Sequence, residues 1–149
     1  MWSFLSKPAA YKKISFEDLQ NAVSFPNHYI IINTMPENEQ ACLIKNTISY
    51  QMEENTINHF IEQYDFSSRK IIVYGKNAND TTAEKKYDQI RGLGFSDVFL
   101  YVGGMFEWLL LQDIYGFDEF PTTSKVLDIL KYKPARLFGH AARGNMIMF

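Results

Sequence analysis

Cysteine is the scarcest chemistry in this chain, with Cys42 the only one in 149 residues. A lone thiol excludes an intramolecular disulfide and any cysteine-cluster metal site, so a reducing, cytoplasmic setting is expected. The three histidines, His28, His59 and His140, have no mutual spacing suited to a metal or a catalytic pair. Surface roles are expected for them, and neither a metal nor a cofactor is expected. Charge of one sign is missing too. A net charge of -2 and a pI near 5.9 argue against nucleic acid as a partner. No apolar run is long enough to span a membrane, and the one within "MWSFLSKPAAYKK" is too short for a signal peptide. The expectation is a soluble intracellular protein with no membrane partner. Internal repeats and low-complexity tracts are absent as well.

What the chain does have is material for a core. Its length suits one domain, and twelve Phe and nine Tyr are expected inside it rather than on a recognition surface. Residues 1–13 read as an N-terminal arm ending in a short edge strand near Tyr11 to Ile14. Ser15 is placed to cap a helix whose apolar positions are Phe16, Leu19 and Val23. "YIIIN" is an apolar, β-branched run of the kind found in strands covered on both faces, and "KIIVY" and "DVFLYV" repeat it. A further short strand is expected around Thr47 to Tyr50. Between the strands, Ile57, Phe60, Ile61 and Tyr64 form one helical stripe, and Ala83, Tyr87 and Ile90 another. Thr81 or Thr82 is expected to cap the second helix, and Gly94 to stop it. Lys85, Lys86 and Arg91 read as a solvated face. After Gly103 and Gly104 comes a helix apolar on most of its circumference, in which Phe106 and Trp108 read as core. This alternation implies an α/β domain over residues 14–117: a parallel sheet of about five strands with helices on both faces.

Residues 118–149 form a C-terminal extension of different pattern. "SKVLDILK" predicts a short helix capped by Thr123 or Ser124. Past Lys131 the charged residues are Lys133, Arg136 and Arg143, all basic. Leu137, Phe138 and Met146 to Phe149 are costly to leave in water. That stretch reads equally as a surface-laid tail and as a docking peptide for another protein.

The segment between "KIIVY" and the helix ending "LGF" is Gly75, Lys76, Asn77, Ala78, Asn79 and Asp80. A loop joining a parallel strand to a helix N-terminus is where α/β proteins place a nucleophile or hold an anion. None of these six residues is a cysteine, serine or histidine. Nor is "GKNAN" a P-loop, because the second glycine and the Gly-Lys-Ser/Thr ending are missing.

Tyr74, Leu93, Gly94, Phe95, Gly103, Gly104 and Trp108 together resemble the core of the rhodanese-like domains, over roughly Ile14 to Tyr115. The isoleucine- and asparagine-rich wording resembles rhodanese-like proteins of large DNA viruses and protists. In the family, an Asp-Val-Arg follows the first core strand, where this chain has Asn33, Thr34 and Met35. The family's Gly-His is absent from "CLIKNTISY". The resemblance implies sulfur transfer by a loop cysteine, whose thiolate the loop amides stabilise as an anion. Counted from Tyr74, that cysteine falls at Gly75, or at Ala78 if the alignment shifts. The related phosphatases, which need a cysteine and a loop arginine, are disfavoured for the same reason.

The leading expectation is therefore a catalytically inactive rhodanese-like domain, a degenerate active-site loop on a binding or structural module. Alternatives are a weak sulfurtransferase or anion-binding enzyme using Cys42 or the 75–80 loop, and a docked component of a large assembly. Cys42 itself reads as a buried small apolar residue. If the loop amides still converge on one point, a thiol placed at Gly75 or Ala78 should be more acidic than a free one. A left-handed φ at Gly75 would strain that substitution.

Overall fold

The computed structural model describes residues 10–139. The start of the arm, and the tail residues His140, Arg143 and Met146 to Phe149, lie outside the described residues. Helix α1 (Phe16–Ser24) starts where expected. The Ser15 hydroxyl accepts from the Asp18 N–H, and the Asp18 carboxylate accepts from the Ser15 N–H at 3.0 Å, a closed capping box. Strand β1 (Tyr29–Asn33) follows, then α2 (Tyr50–Glu62), β2 (Lys70–Tyr74), α3 (Thr81–Gly92), β3 (Val98–Tyr101) and α4 (Gly104–Tyr115). Single 3-10 turns occur at Glu37–Glu39 and Ile129–Tyr132.

The three strands are parallel, in the order β1-β2-β3. Their β-branched runs are buried on both faces, with Ile72 and Leu100 each 2% exposed. One further extended segment flanks each side through a single parallel bridge, Thr47 beside Ile31 and Lys13 beside Leu100. Five segments thus lie side by side, three as regular strands and two as one-residue edges. On the Lys13 side, Leu100 donates to Lys12 and accepts from Ile14.

Alternation along each strand splits the core in two. Ile30, Ile32, Ile71, Val73, Val98 and Leu100 face α2 and α3, against Ile57, Ala83, Tyr87 and Ile90. Ile31, Ile72, Tyr74 and Tyr101 face α1 and α4, against Leu19, Met105, Trp108 and Leu109. Gly94, at φ +116, stops α3 as the sequence indicates.

Two local expectations fail. Tyr64 is not part of the α2 stripe: the helix ends at Glu62, and Tyr64 turns outward in a left-handed conformation at φ +52. Nor does "SKVLDILK" form a helix capped by Thr123 or Ser124. Its start is not helical: the Thr123 N–H donates to the Leu43 carbonyl and the Thr123 hydroxyl accepts from the Leu43 N–H, and only Ile129–Tyr132 makes a helical turn. The first part of the extension is built into the domain. Thr122 bridges Ile44 antiparallel, the Trp108 indole N–H donates to the Pro121 carbonyl at 3.1 Å, and Phe120 stacks edge-on against Trp108. Tyr132 is buried too, whereas Leu137 and Phe138 are exposed.

Candidate functional site

From β1 the chain leaves toward the Thr47 edge and returns at β2, on the opposite side of β1. The carboxyl ends of β1 and β2 therefore flank a topological switch point, the crevice where open α/β sheets bind ligands. Thr34 ends one side of it. The loop from Gly75 to Asp80 ends the other.

Most of that loop is anchored. The Gly75 and Lys76 carbonyls accept from the first free amides of α4, Met105 and Phe106, both at 2.9 Å. So close an approach depends on Gly104, whose φ is +66 and whose added Cβ would stand 2.6 Å from the Gly75 oxygen. The Lys76 ammonium pairs with Glu39 at 2.8 Å. The Asn77 side-chain N–H donates to the Tyr132 carbonyl at 3.0 Å, while its Oδ1 accepts from the Asn79 N–H. Ala78 lies exposed at the tip.

The centre of the loop is occupied by the chain itself. One oxygen of Asp80 accepts from the Lys76 N–H at 2.8 Å; the other accepts from the Thr82 N–H at 3.0 Å and the Thr82 hydroxyl at 2.6 Å. Asp80 is thus the cap of α3, in place of the expected Thr81 or Thr82. A carboxylate there meets the free N–H groups and the positive end of the helix dipole with full charge, which a threonine hydroxyl does not. It also fills the space beside Gly75. A Cβ on Gly75 would stand 2.6 Å from Asp80 Oδ2 and 3.1 Å from Thr34 Oγ1. Gly75 has no positive φ, so crowding rather than backbone strain opposes a side chain there. Sequence reasoning placed Asp80 in the loop but missed it as the cap, although aspartate before a helical stripe is a readable signal. Thr34, Glu39 and Tyr132 reach the loop from far along the chain, and no local pattern marks them.

Cys42 does not join the loop. It is 1% exposed, and its thiol donates to the Ser124 carbonyl at 3.3 Å. Two phenols below the crevice are bonded to the protein. Tyr74 is buried, its hydroxyl accepting from the Ile44 N–H at 3.1 Å and pairing with Thr47 at 2.8 Å. Burial pushes its pKa far above the ordinary phenol value, and those two bonds pull the other way. Tyr101 donates to Glu107 at 2.5 Å, and burial, followed by that carboxylate, raises its pKa too. Lys86 departs from the expected solvated face, forming an ion pair with Glu53 of α2 at 2.6 Å. His28 and His59 are exposed. Among the described residues, no group of three or more His, Cys, Asp or Glu could hold a metal ion. Nor is any helix there long and apolar enough to cross a membrane.

Comparison with known proteins places this architecture. A family model for the rhodanese-like domain matches residues 15–111. A single-domain sulfurtransferase of Saccharomyces cerevisiae superposes with a TM-score of 0.51 at 18% identity, covering 74% of this chain and 98% of that one. The rhodanese-like domain of an Anabaena sp. protein gives 0.54 at 19% identity, with 88% and 90% covered. An As-Sb reductase from Leishmania major gives 0.50 at 17% identity, with 71% and 79% covered. Identities this low speak for the fold alone. No curated protein sequence matches. The family match runs from the cap of α1 into α4 and takes in the whole of β1-β2-β3, so this chain belongs to the rhodanese-like domain family.

Proposed function

We propose that this rhodanese-like domain transfers no sulfur and serves as a binding or structural module, in a reducing cytoplasm, with another protein as its partner. The observation that carries this reading is the space at Gly75. Sulfur relay needs a thiolate whose negative charge the loop amides stabilise. Here the residue leading the loop has no side chain, and a carboxylate oxygen stands 2.6 Å from where one would begin. Cys42, the only thiol, is buried and bonded to Ser124, which supports packing rather than relay. Neither the sulfurtransferase nor the reductase named above lends its activity to a chain with this loop. The mixed charge of the surface gives no support to nucleic acid as the partner.

The test is thiocyanate formation from thiosulfate and cyanide by the full-length protein. No rate above buffer is expected. Turnover that disappears in Cys42→Ala would overturn the reading and move the chemistry to that thiol. Turnover that survives the substitution would overturn it as well.

A further inference from the structure

Charge is divided along this chain. All 17 acidic residues lie at or before Asp128, whereas Lys131, Lys133, Arg136 and Arg143 follow it. Lys131, Lys133 and Arg136 are exposed, and neither of the two ion pairs among the described residues includes them. Large apolar side chains stand among them in the same state: Leu130 is 61%, Leu137 86% and Phe138 84% exposed. Apolar surface left in water beside unmatched charge of one sign marks a contact site.

The backbone carries a third signal. Tyr132 is buried, and its carbonyl accepts from the Asn77 side chain at 3.0 Å, which fixes the start of the segment against the 75–80 loop. Lys133 is extended at φ -63 and ψ 154, as suits the residue before a proline, and the helical turn stops there. From Lys133 to Gly139 there is neither helix nor strand. Among the described residues, no backbone hydrogen bond reaches Pro134 to Phe138. Those backbone groups need partners wherever Leu137 and Phe138 become buried. The apolar layer of a lipid surface offers none, so apolar segments enter it as amphipathic helices, and this segment is not one. A nucleic acid would meet the cations but has no pocket for Leu137. A protein groove supplies carboxylates, an apolar pocket and a strand edge together.

We propose that Lys133 to Phe138 is a recognition segment taken up by a groove of another protein. Acidic side chains of that groove face Lys133 and Arg136, an apolar pocket takes Leu137 and Phe138, and a strand edge takes the free backbone. The inference rests on the protein partner proposed above and deepens it by naming the segment and the chemistry that meets it. Because Tyr132 is tied to Asn77, a partner held this way lies beside the 75–80 loop.

The test uses the full-length protein, isotope-labelled for NMR, and a short synthetic peptide alternating glutamate and leucine as the probe. That peptide presents carboxylates, an apolar face and a strand edge at once. It should shift the resonances of residues 131–138 and leave Ile32 and Val73, in the middle of the sheet, unmoved. Lys133→Glu with Arg136→Glu should weaken its binding about tenfold or more, and so should Leu137→Ser with Phe138→Ser. All four positions are exposed, so the fold is not at stake. Polyglutamate should bind about tenfold more weakly than the alternating peptide. No shift at residues 131–138, equal binding by either double variant, or polyglutamate binding as tightly would each overturn the proposal. Tighter binding to vesicles of phosphatidylcholine and phosphatidylserine, or to single-stranded oligothymidylate, would assign the segment to a membrane or a nucleic acid and overturn it too. Thiocyanate formation by the wild type would sink the non-catalytic reading yet leave these titrations to stand or fall separately.

Discussion

The two faces of the sheet are built from different materials. Toward α2 and α3 the core is mainly aliphatic, with six isoleucine, valine and leucine side chains from the strands meeting Ile57, Ala83 and Ile90, and Tyr87 and Phe95 as its buried rings. Toward α1 and α4 it is richer in aromatics: Tyr74, Tyr101, Trp108, Phe120 and Tyr132 are all buried there. Aliphatic packing is non-directional and tolerates neighbours of about the right volume. The aromatic face carries N–H and O–H groups, and when buried each needs a partner at a fixed angle. Those partners are the Pro121 carbonyl, Glu107, Thr47 and the Ile44 amide. The aromatic face is thereby tied to the segments that surround the crevice, and the aliphatic face is not.

The sharpest way to break this contrast is to empty each face in turn. Trp108→Ala should cost about 3–5 kcal/mol, because the ring packs on both Tyr101 and Phe120 and its N–H holds the 120–122 segment. Urea unfolding measures the loss. Ile32→Ala on the aliphatic face should cost about 2–4 kcal/mol and leave the exchange of the Lys76 amide relative to global unfolding unchanged. An equal effect of the two variants on that amide would erase the distinction between faces.

Tyr74→Phe is the finer cut, keeping the ring and stranding the Ile44 N–H, while the Thr47 hydroxyl keeps its bond to the Ile44 carbonyl. A loss of about 1–3 kcal/mol is expected. The phenols also set a pH dependence. Folding raises the pKa of both Tyr74 and Tyr101 above the ordinary value of 10.0. A group that holds its proton more tightly when folded stabilises the fold in full below its unfolded pKa, and that contribution is lost as pH rises. Thermal stability should therefore fall as pH climbs beyond about 10, and fall less steeply in Tyr101→Phe. The smallest effect should come from Lys86→Ala on the aliphatic side. Its ion pair with Glu53 is partly solvent-screened, and about 0.2–1 kcal/mol is at stake.

The same contrast explains how far the sequence could be read. Strand cores such as Ile30 to Ile32 and Ile71 to Val73, the Ser15 capping box and the Gly94 stop depend on neighbours a few residues away, and all are legible. The inner face of α3 at Ala83, Tyr87 and Ile90 was equally clear. The aromatic face depends on long-range partners. Nothing near Trp108 announces that residues 120–122 will cover it, so the extension looked detached. Nothing near Gly75 announces Thr34 or the α4 amides. Asp80 was visible in sequence, but its inward aim was not, and this reverses an expectation. With a carboxylate oxygen 2.6 Å from its Cβ, a thiol introduced by Gly75→Cys should titrate above the free value of about 8.5, not below it. Alkylation rate against pH measures that sign directly.

The glycine that opens α4 sets a limit on sequence change. At Gly104 any larger residue meets the Gly75 carbonyl at 2.6 Å and must also hold a φ of +66. Gly92 has open space around its α-carbon and no such φ. In a library randomised at both positions and selected for folding, position 92 should fill with the helix formers that outcompete glycine. Position 104 should return glycine alone. The junction of loop and helix would then be a fixed point about which the rest of the surface is free to diverge.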